Sequence, residues 1–493
     1  MSTKNNIFDF KYSCILAIDQ SSGGIANHES KLPWHIPNDL QHFKKTTMDS
    51  VVIMGYRTYK SLPIVPLPNR INIVIDTHSA SEYKENDIIF VQTLNAAFEY
   101  AYTMHTDKSI FIIGGKQVIE ECIMNFPHNM KHAYISWIRP HQPVQYSTFM
   151  QEFVSILREM CTGKIITSYI QNNCDVNVIQ YTMIHNLADL SYFNLLKHIL
   201  SNGIERQDRT NVGTRSLFGE KLTFDISDSI PLLTSKFVSF RNVVHELLFF
   251  LQGKTNINYL KENNVKIWNH NTSRAFLDQQ GLTTYPEGEL GPGAYPMTWR
   301  NFGGTYNNHS DIKMNGMDQI KNIIHLLRTD PYSRRILLSA WNPLELETTA
   351  LVPCHLLVQF YVTNTENRIH EHSSANIIHE ENNSGSKHLS CMVTMRSCDV
   401  FLGLPYNIAS YSILTYMLAQ ICNMKPNKLI MSLGDTHIYN NHIDQAIQQL
   451  NNGGHSSPTL ILNKERKEID DFTFEDFKLC DYKHDGIITA PLN

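Results

Sequence analysis

Along the first third of the chain, short apolar runs alternate with stretches of helical period. Residues 12–18, 51–54, 71–75 and 110–113 are near-continuous runs of apolar and β-branched side chains, the pattern of strands covered on both faces. Residues 93–105 and 116–124 read as helices between them. This alternation predicts a mainly parallel sheet in an α/β domain over residues 10–185. Residues 176–184 form its last strand, and residues 186–188 a short linker, with no Pro- or Ser-rich spacer.

From residue 189 the pattern changes. Long helices are predicted over 235–252, 316–329 and 405–424, with Ser235 capping the first and Gly253 stopping it. Strands over 355–362 and 389–396 lie between the later helices, so residues 189–493 read as an α+β domain. The stretch 364–388 is rich in Asn, Ser, Glu and His and reads as a loop insertion. It holds His370, His372, His379 and His388; imidazoles are common metal ligands, but the composition favours a surface loop and no metal is expected.

Composition narrows the class. At 493 residues the chain exceeds one ordinary hydrophobic core. A net charge of -5 offers no basic surface for nucleic acid. Nine cysteines with no C-x-x-C pair point to a reducing compartment. The first ten residues lack the apolar core of a signal peptide, and no apolar run is of membrane-span length. A cytoplasmic protein with small-molecule partners is expected, with neither membrane nor nucleic acid among them.

Chemistry enters first at Leu32-Pro33-Trp34-His35-Ile36-Pro37-Asn38-Asp39-Leu40. Pro37 suits a first helical position, which puts Asp39 in the first turn and Phe43 one turn further along the same face. A carboxyl between Trp and Phe can hold and protonate a flat heteroaromatic ring. The plainer reading is an acid favouring the helix macrodipole. Gly55-Tyr56-Arg57-Thr58 and Gly114-Gly115 sit at strand-to-helix turns, where backbone amides approach phosphate, and Arg70 offers a cation for a carboxylate.

In this order the segments resemble dihydrofolate reductase over about residues 10–185. The resemblance implies that Asp39, backed by Ser136, binds the pterin and supports its protonation, with NADPH as cofactor. It implies Phe43, Leu67 and Arg70 for the benzoyl-glutamate tail, and Ala17, Arg57, Thr58, Gly114 and Gly115 for the cofactor. Asp76-Thr77 departs from the family, which often carries Ser-Arg there.

The second site centres on Pro353-Cys354-His355, between Ser333-Arg334-Arg335 and Arg396-Ser397-Cys398-Asp399. Positive charge near a thiol favours the thiolate, and guanidinium forks suit phosphate. An inert buried cysteine beside surface arginines is the alternative. Glu246 stands on an otherwise apolar helix, where an unpaired carboxylate is costly unless used.

With Asp208-Arg209-Thr210, Trp268 and the runs 403–410 and 435–439, these segments closely resemble thymidylate synthase over residues 189–493. The resemblance implies that the Cys354 thiolate adds to the dUMP ring, which then takes a methylene from methylenetetrahydrofolate and a hydride from the same folate. Glu246 would organise water and protons. Arg209, His355, Arg396, Ser397, Asn407, His437 and Tyr439 would hold dUMP; Trp268, Asp399, Leu402, Gly403 and Tyr406 would hold the folate. Arg334 and Arg335 would reach the phosphate from a partner subunit, implying a homodimer through this domain. Residues 290–300 are one longer than usual around Tyr295, the tyrosine that would help remove the ring proton.

Together the halves are similar to the bifunctional dihydrofolate reductase–thymidylate synthases, since one activity makes the dihydrofolate the other consumes. An active synthase carrying a degenerate reductase domain as scaffold is the alternative.

Overall fold

The computed structural model describes residues 10–29, 31–78, 83–126, 129–184, 186–208, 211–364 and 386–492. The chain forms two compact units, Met1–His185 and Asn186–Asn493.

The first unit is built on a nine-stranded sheet. Its centre is six parallel strands in the spatial order Met130–Pro140, Tyr12–Asp19, Ile110–Gly114, Val51–Gly55, Ile71–Ile75, Ile88–Val91. Cys174–Met183 and then Cys161–Gln171 extend one end antiparallel, and Tyr83–Glu85 closes the other. Apolar side chains fill both faces, with Cys14, Ile18, Val51 and Ile112 on one and Ile15, Val52, Val74 and Phe90 on the other. That two-sided burial is why the strands read as continuous apolar runs. Strand Ile110–Gly114 returns between Tyr12–Asp19 and Val51–Gly55, so the strand order reverses there. Ligands of open α/β sheets bind at the carboxyl ends beside such a reversal.

The second unit has a six-stranded sheet in the order Ile204–Arg206, Thr214–Asp225, Lys425–Tyr439, Lys387–Asp399, His355–Asn364, Leu337–Ser339. Only its Lys387–Asp399 and Lys425–Tyr439 pair is parallel, bridged by the largely buried helix Gly403–Ile421.

Several boundaries differ from the sequence reading. Residues 186–188 are not a linker: the Asn186 side chain accepts from the Ala188 and Asp189 amides and caps helix Leu187–Asn202. Ser235 caps no helix. Its hydroxyl donates to Asp189 Oδ1, and Ser239 caps Phe240–Leu251 instead. Gly253 follows that helix at φ +70°, as a stop requires. The predicted 316–329 helix is Gln319–Thr329, capped by Asp318. The 364–388 loop is shorter at both ends, since Asn364 pairs with Lys387 and Thr363 with His388 in the strand ladder. His370, His372 and His379 lie outside the described residues. Among the described residues no helix is long and apolar enough to cross a membrane.

Two candidate active sites

In the first unit, helix Pro37–Thr46 opens with Pro37 and carries Asp39 in its first turn. Asp39 is 9% exposed, and Ser136 Oγ donates to its Oδ1. Burial pushes its pKa up, opposed by the Ser136 bond and by His42. An acid form held to higher pH is what proton donation needs. Ala17 lies buried opposite Ser136 in the strand register. Trp34 Nε1 and Tyr169 Oη are buried without a hydrogen-bond partner among the described residues, and both side chains pack with Ala17 and Ile36. Buried donors of this kind fit a polar ring in the pocket.

Arg70, Phe43 and Leu67 lie close together in this unit. The Arg70 guanidinium lies 5.8 Å from the Phe43 ring centre and bonds Thr47 Oγ1 at 3.0 Å and the Pro68 carbonyl at 3.1 Å. Leu67 is anchored at both backbone groups by the Asn72 amide, at 2.9 and 3.1 Å.

At the carboxyl edge, Gly114 and Gly115 are joined by a cis peptide, with Gly114 at φ +130°. A Cβ on Gly115 would stand 3.1 Å from Thr58 Oγ1, so the hollow between them exists only because glycine fills the position. Arg57 is exposed beside it. Close backbone approach plus a cation fits the phosphates of a dinucleotide.

In the second unit, Cys354 precedes strand His355–Asn364 and is partly exposed. Its backbone N–H donates to Tyr295 Oη at 2.7 Å, and His355 N–H to the same oxygen at 3.3 Å. Arg396 Nη2 lies 3.8 Å from the Cys354 sulfur. Bonds from the same guanidinium to the Pro353 and Val352 carbonyls, at 2.8 and 3.0 Å, fix its plane. The Tyr295 and His355 rings stack at 3.8 Å and 4°. Tyr411 pairs with His355 Nδ1, and burial pushes the His355 pKa down to about 3.

Glu246 faces this group from helix Phe240–Leu251. Desolvation pushes its pKa up to about 7, opposed by the 2.7 Å bond it accepts from Trp268 Nε1. A raised carboxyl pKa costs stability as pH climbs from the unfolded value to the folded one. Glu246→Gln is therefore expected to stabilise this unit by about 2–3 kcal/mol at pH 8, and by under about 1 kcal/mol at pH 5. Urea unfolding at the two pH values checks this; an equal gain at both would contradict it.

Ser397, His437 and Tyr439 line a cavity of about 250 Å³ with Arg206, Thr214 and Asp435. Asp435 Oδ1 lies 3.1 Å from His437 Nδ1, and its Oδ2 accepts from Arg206 at 2.9 Å. The His437 bond is the main cause of a lowered Asp435 pKa. Asp399 Oδ1 accepts from the Phe401 and Leu402 amides at 3.0 and 3.1 Å, turning the chain into helix Gly403–Ile421. A Cβ on Gly403 would fall 3.7 Å from Asp399 Cβ and 3.9 Å from Asn407 Oδ1, which puts Gly403 and Asn407 beside Asp399. Tyr406, four residues beyond Leu402, is raised in pKa mainly by burial. Arg334 and Arg335 are exposed, just before strand Leu337–Ser339. Arg209 lies outside the described residues.

Sequence reasoning passed over Lys236, Asp435 and Tyr411. Lys236 is buried, donates to the Phe401 carbonyl and sits 3.6 Å from the Phe401 ring centre, and burial pushes its pKa down to about 7. Asp435 had a readable signal, since residues two apart on a strand share a face with each other, here with His437. Tyr411 had none, being one apolar-face residue among many on its helix.

Fold and sites together define a chain of two enzymes, an α/β reductase unit followed by a thiol-dependent nucleotide-modifying unit. Residues 11–181 match the dihydrofolate reductase family and residues 190–493 the thymidylate synthase family. The chain is 38% identical over 484 residues to a bifunctional dihydrofolate reductase-thymidylate synthase of Paramecium tetraurelia, covering 97% of each protein. The corresponding protein of Zea mays is 34% identical over 92% of this chain and 91% of its own. That of Leishmania major is 33% identical over 96% and 93%. The chain belongs to the bifunctional dihydrofolate reductase–thymidylate synthase family.

Proposed function

We propose that Cys354 and Asp39 carry the two chemistries of this chain. It is an enzyme of nucleotide biosynthesis that methylates dUMP to dTMP with methylenetetrahydrofolate and reduces the resulting dihydrofolate to tetrahydrofolate with NADPH. Nothing favours an inert reductase: Asp39 and Ser136 are bonded to each other, and the glycine hollow against Thr58 is present.

In the synthase unit the carrying observation is the contact between Arg396 and the Cys354 sulfur. A cation at that range favours the thiolate, the form that attacks a ring carbon. Tyr295 Oη already accepts two backbone N–H groups, which aims it beside the nucleophile for ring-proton removal. Glu246, raised to about 7 by burial and held by the Trp268 bond, exchanges protons with the bound pyrimidine. Arg209, Arg396, Ser397 and His355 serve the nucleotide, with Asn407 at the base and His437 and Tyr439 at the sugar. Asp399, with Trp268, Leu402, Gly403 and Tyr406, serves the folate ring.

In the reductase unit Asp39 holds the pterin and maintains the proton supply, positioned by Ser136. Phe43, Leu67 and Arg70 hold the tail. Ala17, Arg57, Thr58, Gly114 and Gly115 receive NADPH, which supplies the hydride when bound.

Arg334 and Arg335 are exposed on their own subunit, and we assign them to the phosphate of a neighbour in a homodimer. The test is subunit mixing. Arg334→Ala/Arg335→Ala and Cys354→Ser chains, each inactive as synthase, are expected to recover about a quarter of wild-type dTMP formation after mixing, because random C2 pairing makes half the dimers mixed with one intact site each. No recovery would place both arginines in their own subunit's site, and full activity of the unmixed double-arginine variant would place them outside it.

A further inference from the structure

The helix that carries Asp39 cannot cap itself. Its N-cap residue is Ile36, which has no side-chain acceptor, and no side-chain cap bond is made there. Exposed first-turn N–H groups need an acceptor from elsewhere. It comes from the far end of the unit: Gln171 Oε1 accepts from Asn38 N–H at 2.9 Å. One residue on, Asn172 Nδ2 donates to the His35 carbonyl at 2.8 Å. The two bonds grip the backbone on either side of Pro37.

Both residues of this grip, the acceptor Gln171 and the donor Asn172, sit on a stiff support. Strands Cys161–Gln171 and Cys174–Met183 are paired to their ends, with Gln171 opposite Cys174. Asn172 and Asn173 take φ +51° and +58°, the two left-handed residues of a tight hairpin turn. The Asn173 carbonyl accepts from His141 N–H at 2.8 Å, tying the turn to the neighbouring strand end. Tyr169, on the same hairpin, packs against the cluster that holds Ile36 and feels the Asp39 charge. The hairpin partner strand also places Val178 opposite Ser136, the residue that bonds Asp39.

We propose that this hairpin tip is the positioning device of the reductase acid, with Gln171 acting as the helix cap that Ile36 cannot be and Asn172 fixing the approach to Pro37. Gln171 and Asn172 are positioning residues that act through the backbone on either side of Pro37. The inference rests on Asp39 being the reductase acid. Its logic is geometric: the strand holding Ser136 and the hairpin gripping the helix start are neighbours in one sheet, so Asp39 is located from two sides by one rigid frame.

The test compares full-length variants. Gln171→Met/Asn172→Gly removes both bonds while glycine keeps the left-handed turn. It is expected to lower kcat/KM for dihydrofolate about tenfold, the size of two exposed capping bonds. The NADPH Kd, read by fluorescence titration, and dTMP formation should stay within about twofold, which reports an intact fold. Gln171→Glu keeps the acceptor and should retain kcat/KM within about threefold of wild type. Retention of full activity by the double variant overturns the proposal. So does an equal loss in Gln171→Glu, which would make the tip mere packing, and so does a parallel rise in the NADPH Kd. Should Asp39→Asn itself leave the reductase active, the underlying assignment of the acid fails instead, a result separable from the first.

Discussion

Cys354→Ser is expected to cut dTMP formation by at least about 10⁴-fold while leaving NADPH oxidation with dihydrofolate within twofold of wild type. Losing the nucleophile of an assembled site removes most of its rate enhancement, and neighbours do not compensate. A serine hydroxyl occupies the same place, between the Tyr295-bonded amide and Arg396, but the guanidinium has no thiolate to stabilise. Unchanged kcat for dUMP would remove Cys354 from the chemistry. A loss in both activities would indicate damage to the fold, because the thiol lies in the Asn186–Asn493 unit and Asp39 in the other.

The second large effect is at Asp39. Asp39→Asn is expected to lower reductase kcat about 10²–10⁴-fold, the usual worth of a positioned acid, with dTMP formation preserved. The amide still fills the space beside Ser136 but supplies no proton. The sign of the pH dependence follows from burial. Because the folded pKa of Asp39 is raised, its acid form survives to higher pH, and wild-type turnover falls as pH rises through that pKa. The asparagine variant should show a low, flat profile across that limb. A variant that keeps the limb would assign the titration to another group, His42 being the nearest candidate.

The sequence was most legible where burial was two-sided. Apolar runs such as Ile71–Ile75 located the central strands because both faces must be apolar. Cys161–Gln171 has a mostly exposed burial pattern and left no such run, so the first strand of the hairpin that grips the Asp39 helix was invisible, although its partner Cys174–Met183 was read. Ser235 looked like a helix cap by type and position, but its hydroxyl is taken by Asp189, a contact no local rule contains. Motif residues fared better, since Cys354 with Arg396, Asp39 with Ser136, and His437 with Tyr439 do meet. What spacing does not carry is the support behind them: Tyr411 behind His355, Trp341 against Arg396, and Asn72 behind Leu67.

The stack of His355 on Tyr295 has a bearing on how the synthase responds to acid. An imidazole that takes up a proton only at about pH 3 is, across the working range of the enzyme, an uncharged slab of aromatic wall. It therefore insulates the sulfur from pH: a histidine next to the nucleophile would ordinarily add a full positive charge on mild acidification and change the field at the thiolate. Here the nearby positive charge comes from the Arg396 guanidinium, and burial lifts the Glu246 carboxyl that faces the group to about 7. A site wired in this way takes its proton sensitivity near neutrality from the Glu246 carboxyl rather than from the histidine beside the sulfur.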